Sequence, residues 1–176
     1  MIAIGIDTSL TGTGFAIKDS NIKENNGFTF KTIKTKPEDF TDDTDRLIHI
    51  RNEILKLIPQ NVDKVFIEDV FVGHGPSAGA SLRLALLAGC VRAGLRDAGI
   101  KFEIVQPTMV KKYITGKGNA HKDLIMMTVF KKFGIETTNN NEADAIVMAD
   151  MAFEGYHPQK ISKTTKKTKK EKKTDE

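Results

Sequence analysis

The sequence contains little of what disulfide-bonded, secreted or membrane-spanning proteins require. It has one cysteine, Cys90, no tryptophan and five prolines in 176 residues. A single thiol can build neither a disulfide framework nor a cysteine zinc cluster. No uninterrupted apolar run approaches the roughly 18 residues that cross a bilayer, and the N-terminus lacks the basic start of a secretory signal. We therefore expect one domain with no membrane association and a cytoplasmic location.

Positive charge is concentrated at the C-terminus. The chain carries +4 overall, whereas residues 158–176 contain eight lysines and three acids, a net +5, so that residues 1–157 carry the difference of −1. Because the run from Lys166 to Lys173 has no apolar side chain to bury, we expect a disordered basic tail after a single domain of residues 1–157. Two roles stay open for this tail, a solubilising extension and a non-specific tether for nucleic-acid phosphates.

Hydropathy periodicity predicts an α/β domain. Two strands form an opening hairpin, and a third strand follows at 27–33. Further strands are predicted at 62–68 and 101–105, and helices at 42–57, about 81–98, 107–114, about 120–133 and about 140–153. The order β-β-β-α-β-α-β-α-α-α fits a mixed five-stranded sheet with flanking helices, whose later strands are joined by right-handed crossovers.

The helix at about 81–98 carries small residues, Ala85, Gly89 and Ala93, at every fourth position. Such a stripe lets another surface approach closely. Packing within the core is the favoured interpretation, and a dimer interface is the alternative.

Three acids from separated segments are predicted to meet at one edge of the sheet. Asp7 ends the first strand and Glu68 ends the strand expected beside it, at the carboxyl edge where α/β folds bind ligands. Asp144 opens the last helix, and Asn141, three residues earlier, shares its helical face. Each acid alone has an ordinary explanation as a turn, strand-end or helix-start residue. Together they suit Mg²⁺, and two ions about 4 Å apart can clamp a phosphodiester.

Two other acids are assigned to structural roles or left out of the site. Glu142 stands at the third helical position and fits a capping box with Asn139 as the N-cap. Asp150 lies six residues beyond Asp144 on another helical face, so we do not expect it to join the three acids.

The ordered combination of segments resembles the RuvC-type Holliday junction resolvases of the RNase H-like superfamily. The similarity covers about residues 1–153, with its matching residues at 4–16, 66–71, 81–85 with Gly89, 107–111 with 116–122, and 141–145. It implies an RNase H-like nuclease domain that cuts phosphodiester bonds in branched DNA. The implied reaction resolves Holliday junctions by symmetric nicking in DNA recombination and repair.

The resemblance also implies the roles of the site residues. Asp7, Glu68 and Asp144 would be catalytic and would bind Mg²⁺, with Mn²⁺ as a substitute and two ions per site. Asn141 would be the fourth catalytic and metal-binding residue. The family usually presents an acid or another good ligand there, and an amide brings no charge, so we expect one ion to bind more weakly. This change and the short chain suggest a phage-type member.

DNA contacts and a dimer are implied in the same way. Phe71 would stack on unpaired bases, and Lys122, which begins a helix, would meet phosphate with its charge and the free N–H groups of the helix. The full set of implied DNA-binding residues is Phe71, Arg83, Lys111, Lys117, His121 and Lys122. Because a four-way junction needs two matched cuts, a symmetric homodimer is expected, with residues 83–94 as the interface.

Three alternatives stay open. Residues 5–12 also resemble the phosphate turn of actin-type and sugar-kinase-type proteins, although the chain has room for only one of their two domains. The amide at Asn141 motivates a non-catalytic or weakly catalytic junction-binding protein. A nuclease of the same fold that prefers flaps, forks or RNA–DNA hybrids would share the acids and differ only in the DNA groove.

Overall fold

The protein folds as a mixed five-stranded sheet with helices on both faces. The structure is a computed structural model that describes residues 1–70 and 78–158. The strands are β1 (Ile2–Asp7), β2 (Gly12–Asp19), β3 (Phe28–Lys34), β4 (Lys64–Glu68) and β5 (Glu103–Val105). The helices are α1 (Asp43–Leu57), α2 (Ala78–Asp97), α3 (Pro107–Thr115), α4 (Lys122–Phe133) and α5 (Asn140–Phe153). The predicted order of strands and α-helices is confirmed, whereas two short 3-10 turns, Glu24–Gly27 and Pro37–Asp39, were not predicted.

The strands lie in the order β3-β2-β1-β4-β5. β1, β2 and β3 form an antiparallel meander, and β1, β4 and β5 run parallel to one another. Ile6 pairs with Ile67 across β1 and β4. Since each strand continues by one residue, Asp7 and Glu68 end side by side at the carboxyl edge of the sheet.

Alternation along β1 and β4 divides the core into two halves. Ile4, Ile6, Val65 and Ile67 pack with apolar residues of α1 and α2. The alternate positions, including Ala3 and Phe66, pack with α3, α4 and α5. Because successive strand side chains point to opposite faces, Asp7 and Glu68 share the α5 face with Ala3 and Phe66.

Two glycines allow α5 to lie almost directly on the sheet. A Cβ on Gly5 would stand 2.1 Å from the Ala145 carbonyl oxygen, and a Cβ on Gly14 would stand 2.0 Å from the Asn141 carbonyl oxygen. Both distances are far below van der Waals contact, so only glycine fits at either position without moving the helix. Residues 142–152 of α5 are all buried, because the sheet covers one side of this helix and α3 and α4 cover much of the rest.

Helix α2 differs from its prediction in which residues face the core. Leu87, Val91 and Leu95 are buried. Gly89 of the small-residue stripe is exposed, and a Cβ there would meet nothing within 4 Å. The interpretation of the stripe as core packing is therefore wrong within one copy of the chain. Cys90, on the same helix, is half-buried.

By length and composition alone, α2 is also apolar enough to cross a membrane. Its apolar residues are divided between the domain core and an exposed face, where the side chains of Leu82 and Leu86 are 57% and 55% accessible. The predicted basic tail, apart from Pro158, and the predicted base-stacking residue Phe71 lie outside the described residues.

Candidate functional site

The turn between β1 and β2 holds Asp7 in a defined place. Thr13 accepts a hydrogen bond at Oγ1 from the Ser9 amide at 3.0 Å and donates one from the same oxygen to the Ser9 carbonyl at 2.7 Å. The buried Arg46 of α1 donates from its guanidinium to the Leu10 carbonyl at 2.7 Å and to Thr35 Oγ1 at 2.9 Å. The loop that follows Asp7 is thus fixed to both β2 and α1, a role for Arg46 that the sequence pattern did not reveal.

The N-terminus of α5 brings Asp144 over this edge. Asn139 is the N-cap, and its Oδ1 accepts from the Glu142 amide at 3.0 Å. The predicted reciprocal half of the capping box is wrong, because the Glu142 carboxylate accepts from the Thr138 amide at 3.2 Å and from the Thr32 hydroxyl of β3. Glu142 therefore ties the start of α5 to the sheet and stays outside the acidic cluster.

Asp7, Glu68 and Asp144 interact as a crowded set of carboxylates. Burial, followed by repulsion from Glu68 and Asp144, raises the pKa of Asp7 well above its ordinary value. Burial and then Asp144 raise the pKa of Glu68 to about 7, and burial raises the pKa of Asp144 to about 6. Lys111 and Lys122 oppose these shifts in Glu68 and Asp144, and so lie close enough to act on both acids. A cluster of this kind binds protons or cations readily.

This crowding predicts that the metal-free protein loses stability as pH rises. The raised pKa of Glu68, about 7, means that the folded state binds this proton more tightly than the unfolded state. Its stabilising contribution is complete below the ordinary pKa and is lost as pH rises through about 7. In EDTA, we expect the free energy of unfolding to fall by on the order of 2 kcal/mol between pH 5.5 and 8. Glu68→Gln should reduce this slope in urea titrations.

The exposed Glu136 supplies the matched control, since Glu136→Gln makes the same chemical change away from the cluster and should leave the slope unchanged. Equal slopes in wild type and Glu68→Gln would contradict the prediction.

The donor set is open rather than already closed around an ion. Among the described residues, no three His, Cys, Asp or Glu side chains are gathered at metal-coordination spacing. Within the same part of the chain, Asp144 Oδ1 is buried and has no hydrogen-bond partner. A buried carboxylate oxygen without a donor is costly unless a cation or water satisfies it. The chemistry of this set, three carboxylates with one orphaned oxygen, therefore fits a hard divalent cation.

The two amides beside Asp144 differ in their surroundings. Asn141 donates from Nδ2 to the Gly12 carbonyl at 2.6 Å, so its amide group is fixed to the β1–β2 turn. Asn140, four residues before Asp144 and also on its helical side, has a buried Oδ1 without a partner among the described residues. Sequence reasoning considered only Asn141 and missed Asn140, although the spacing of four was a usable signal.

The predicted DNA-binding residues fall into two groups. Lys111 of α3 and Lys122, the first residue of α4, act on the acidic cluster, as described above. Lys117 and His121 are exposed in the segment between those helices, and His121 occupies the N-cap position of α4 without a side-chain cap. Arg83 is exposed on α2, and its neighbour Leu84 lines a cavity of about 160 Å³ together with Asp7 and Glu68.

Asp150 lies outside the acidic cluster, as predicted. Its buried carboxylate accepts from Lys18 at 2.5 Å, from Lys132 at 2.8 Å and from the Tyr113 hydroxyl at 2.8 Å. These bonds connect β2, α3, α4 and α5, so Asp150 is satisfied by the protein itself. Sequence reasoning also missed Asp69, which lines the same cavity as Asp7 and Glu68.

Comparison with known proteins identifies what the chain is similar to. Residues 3–151 match the family described as crossover junction endodeoxyribonuclease RuvC. The crossover junction endodeoxyribonuclease RuvC of Rickettsia felis is 30% identical over 152 residues, which cover 85% of this chain and 95% of the relative. The protein of the same name from Campylobacter curvus is 30% identical over 151 residues, covering 85% and 94%.

Two solved structures share the fold. The structure of Thermus thermophilus RuvC aligns with a TM-score of 0.65 at 21% identity, covering 85% of this chain and 91% of the other. The same protein in complex with a Holliday junction substrate aligns with a TM-score of 0.66 at 21% identity, covering 85% and 90%. Each alignment covers 85% of the chain, and both confirm the predicted fold, a mixed five-stranded sheet with flanking helices.

Proposed function

The chain belongs to the RuvC family of crossover junction endodeoxyribonucleases and is a junction endonuclease, and we propose that it resolves four-way DNA junctions by paired, symmetric nicks. The reaction would take place at a Mg²⁺ site formed by Asp7, Glu68 and Asp144. The observation that carries the proposal is the meeting of these three carboxylates, from β1, β4 and α5, at one sheet edge. Burial is the main cause of their raised pKa values, and the neighbouring acids add to it for Asp7 and Glu68, whose charge a cation would neutralise.

Mg²⁺ is proposed as the natural ion and Mn²⁺ as its substitute, with two ions per site. When bound, such ions activate water and neutralise charge on the phosphodiester. Asp7, Glu68 and Asp144 would bind them as carboxylates, and a proton held by Glu68 near its pKa of about 7 would be released on binding. Apparent metal affinity should therefore rise with pH.

Asn141 is proposed as the neutral fourth member of the site. Its Nδ2 already donates to the Gly12 carbonyl, so only Oδ1 can face a cation. A single neutral oxygen in place of a carboxylate supports weaker binding of one of the two ions. The same observation favours the second candidate function, a junction-binding protein with weak or no cleavage.

The basic residues are proposed to bind the DNA backbone. Lys111 and Lys122 lie next to the acids, where a scissile phosphate would need positive charge. Lys122 begins α4, whose free N–H groups add to the attraction for phosphate. Arg83, Lys117 and His121 are exposed in the surrounding α2 and α3–α4 segments and would extend this surface, and Phe71 is proposed to stack on bases that the junction leaves unpaired.

The direct test is cleavage of a labelled four-way junction by the full chain in Mg²⁺ and in Mn²⁺. Duplex, flap, fork and RNA–DNA hybrid substrates serve as controls. Paired nicks at symmetric positions in the junction alone support the proposal. Tight junction binding without product in either metal would favour the second candidate, and a preference for flaps or hybrids would change the assigned substrate.

We propose that the reaction takes place in the cytoplasm.

A homodimer through α2 is proposed as the assembly that makes two matched cuts. Leu82, Leu86, Gly89 and Ala93 are exposed at spacings of four, three and four, which places them on one face of the helix. Two long apolar side chains followed by two small residues form a surface that a second copy of the same helix can pack against across a two-fold axis.

Leu86→Glu is predicted to dissociate this dimer. The substitution puts an unpaired charge into the proposed interface, which costs about 3 kcal/mol and weakens association by about two decades. Sedimentation should then detect monomers, and paired nicks should be replaced by unpaired single nicks. Ile48 of α1, which is 37% accessible, supplies the matched control: Ile48→Glu should remain dimeric. A Leu86→Glu protein with the wild-type mass in solution would place the interface elsewhere.

A further inference from the structure

A second carboxylate beside Glu68 is held by its neighbours on both sides. Asp69 Oδ1 accepts from the Arg92 guanidinium at 3.0 Å and from the Val70 amide at 3.0 Å. Asp69 Oδ2 accepts from Gln106 Nε2 at 2.6 Å. Both carboxylate oxygens therefore accept hydrogen bonds from groups of this chain, unlike Asp144 Oδ1, so the Asp69 carboxylate is already satisfied within the protein.

These bonds connect Asp69 to the parts of the site that must keep their relative positions. Arg92 comes from α2 and also reaches the Glu68 carbonyl at 3.3 Å. Gln106 is the N-cap residue of α3 and makes no side-chain cap of its own. The Asp69 amide donates to the Val105 carbonyl at 2.8 Å, which extends the pairing of β4 and β5 by one bond. The carboxylate thus connects the end of β4, the C-terminal part of α2 and the N-cap of α3.

The arrangement connects the end of β4, which carries Glu68, to α3, which carries Lys111. Lys111 stands five residues after Gln106 on α3 and acts electrostatically on Glu68 and Asp144. A shift of α3 relative to β4 would change the distance between this lysine and the acids. Because the Asp69–Arg92 pair is only partly exposed, with 34% of the Asp69 side chain and 25% of the Arg92 side chain accessible, its bonds are screened less than those of a free surface pair.

We propose that Asp69 is a positioning residue, whose carboxylate, bridging Arg92 and Gln106, holds Glu68 and α3 in the geometry that binds metal and cleaves DNA. The inference rests on the proposed function, since it assigns Asp69 to the support of that site. Asp69 touches neither substrate nor ion in this scheme. It acts through the strand end and the helix that it joins, in the way that residues around metal ligands orient them.

The test uses an exchange of charge between two neighbours. Asp69→Asn removes the carboxylate charge that pairs with Arg92. Gln106→Glu places two carboxylates against each other, and the double variant restores one carboxylate and one amide. Glu53→Gln is the matched control, because Glu53 forms an exposed ion pair with Lys56 at 2.7 Å on α1. For each full-length protein, Mn²⁺ binding is titrated by electron paramagnetic resonance and junction cleavage is measured under single-turnover conditions.

Positioning predicts that both single variants bind Mn²⁺ about tenfold more weakly and cleave about tenfold more slowly, and that the double variant recovers most of both losses. A simple field effect of charge predicts something different, namely weaker Mn²⁺ binding in Asp69→Asn and stronger Mn²⁺ binding in Gln106→Glu.

That result, or single variants equal to wild type, would overturn the inference while leaving the proposed function intact. If Mn²⁺ binding is weaker in both single variants and recovers in the double variant, but wild type cuts no junction, the proposed function fails and the positioning role stands. A wild-type chain that binds no Mn²⁺ would overturn both.

Discussion

Asp7→Asn, Glu68→Gln and Asp144→Asn are each expected to slow cleavage of a four-way junction by at least about 10³-fold. Each would remove a charged ligand from the proposed metal site, in which bound cations would supply several kcal/mol of transition-state stabilisation. The three carboxylates lie at one sheet edge, and the substitutions keep nearly the same shape. Junction affinity measured without metal should be unchanged or higher, since a negative charge that repels phosphate has been removed. Loss of cleavage with intact binding would separate a catalytic defect from a folding defect.

Glu154→Gln is the appropriate control for this series. Glu154 is an exposed acid beyond the end of α5 that pairs with Lys18 at 3.3 Å, away from the acidic cluster. It should cleave like wild type. An acid variant that still cuts at a tenth of the wild-type rate would remove that acid from the proposed site. In the same way, an Asn141→Ala protein that cuts at a tenth of the wild-type rate or faster would remove the Asn141 amide from the site.

Gly5→Ala and Gly14→Ala are expected to be among the most damaging single substitutions in the chain. The added Cβ atoms would stand 2.1 Å and 2.0 Å from backbone oxygens of α5, so the helix must move away from the sheet. Backbone contacts cannot rotate aside as a side chain can, and we expect a loss of about 4 kcal/mol or more in the free energy of unfolding. Chemical denaturation of the metal-free protein measures this loss.

The two glycines should differ in their effect on the site. Gly14 pairs with Asp7 across β1 and β2 and lies under Asn141 at the start of α5. Gly5 lies deeper, under Ala145 and Ala149. Any folded Gly14→Ala protein should therefore also bind Mn²⁺ more weakly. Gly79→Ala in α2 is the control, since a Cβ there meets nothing within 4 Å and alanine favours the helix. Wild-type stability in Gly5→Ala would contradict the close packing of α5.

The predictions that succeeded came from local periodicity. A short apolar strand that ends in an acid predicts the sheet edge at which that acid emerges, and this applied to both Asp7 and Glu68. Helical spacing likewise indicated Asp144 at the start of the last helix and excluded Asp150. Each of these inferences needs only the residues of one element and a rule for its period, so the sequence was sufficient.

The predictions that failed depended on packing between distant elements. The small residues of α2 were consistent with either a buried or an exposed face, and only the position of α1 and the sheet decides between them. One partner of Glu142 is Thr32, which lies 110 residues earlier in the chain and was not indicated by the capping pattern. Asp69, Arg92 and Gln106 are ordinary polar residues in three separate elements, and no spacing relates them.

The sequence by itself determined the order of the elements and the edge at which Asp7 and Glu68 emerge, because the spacing of apolar residues within one segment predicts whether that segment is a strand or a helix. Only the tertiary structure decided which face of α2 stays exposed, how Asn141 is bound to Gly12, and how Asp69 joins β4 to α2 and α3. The physical reason is that these features depend on the distance between backbones that are far apart along the chain. In this protein, Gly5 and Gly14 determine one such distance because they allow α5 to pack closely on the sheet. The residue spacing within α5 does not predict that distance.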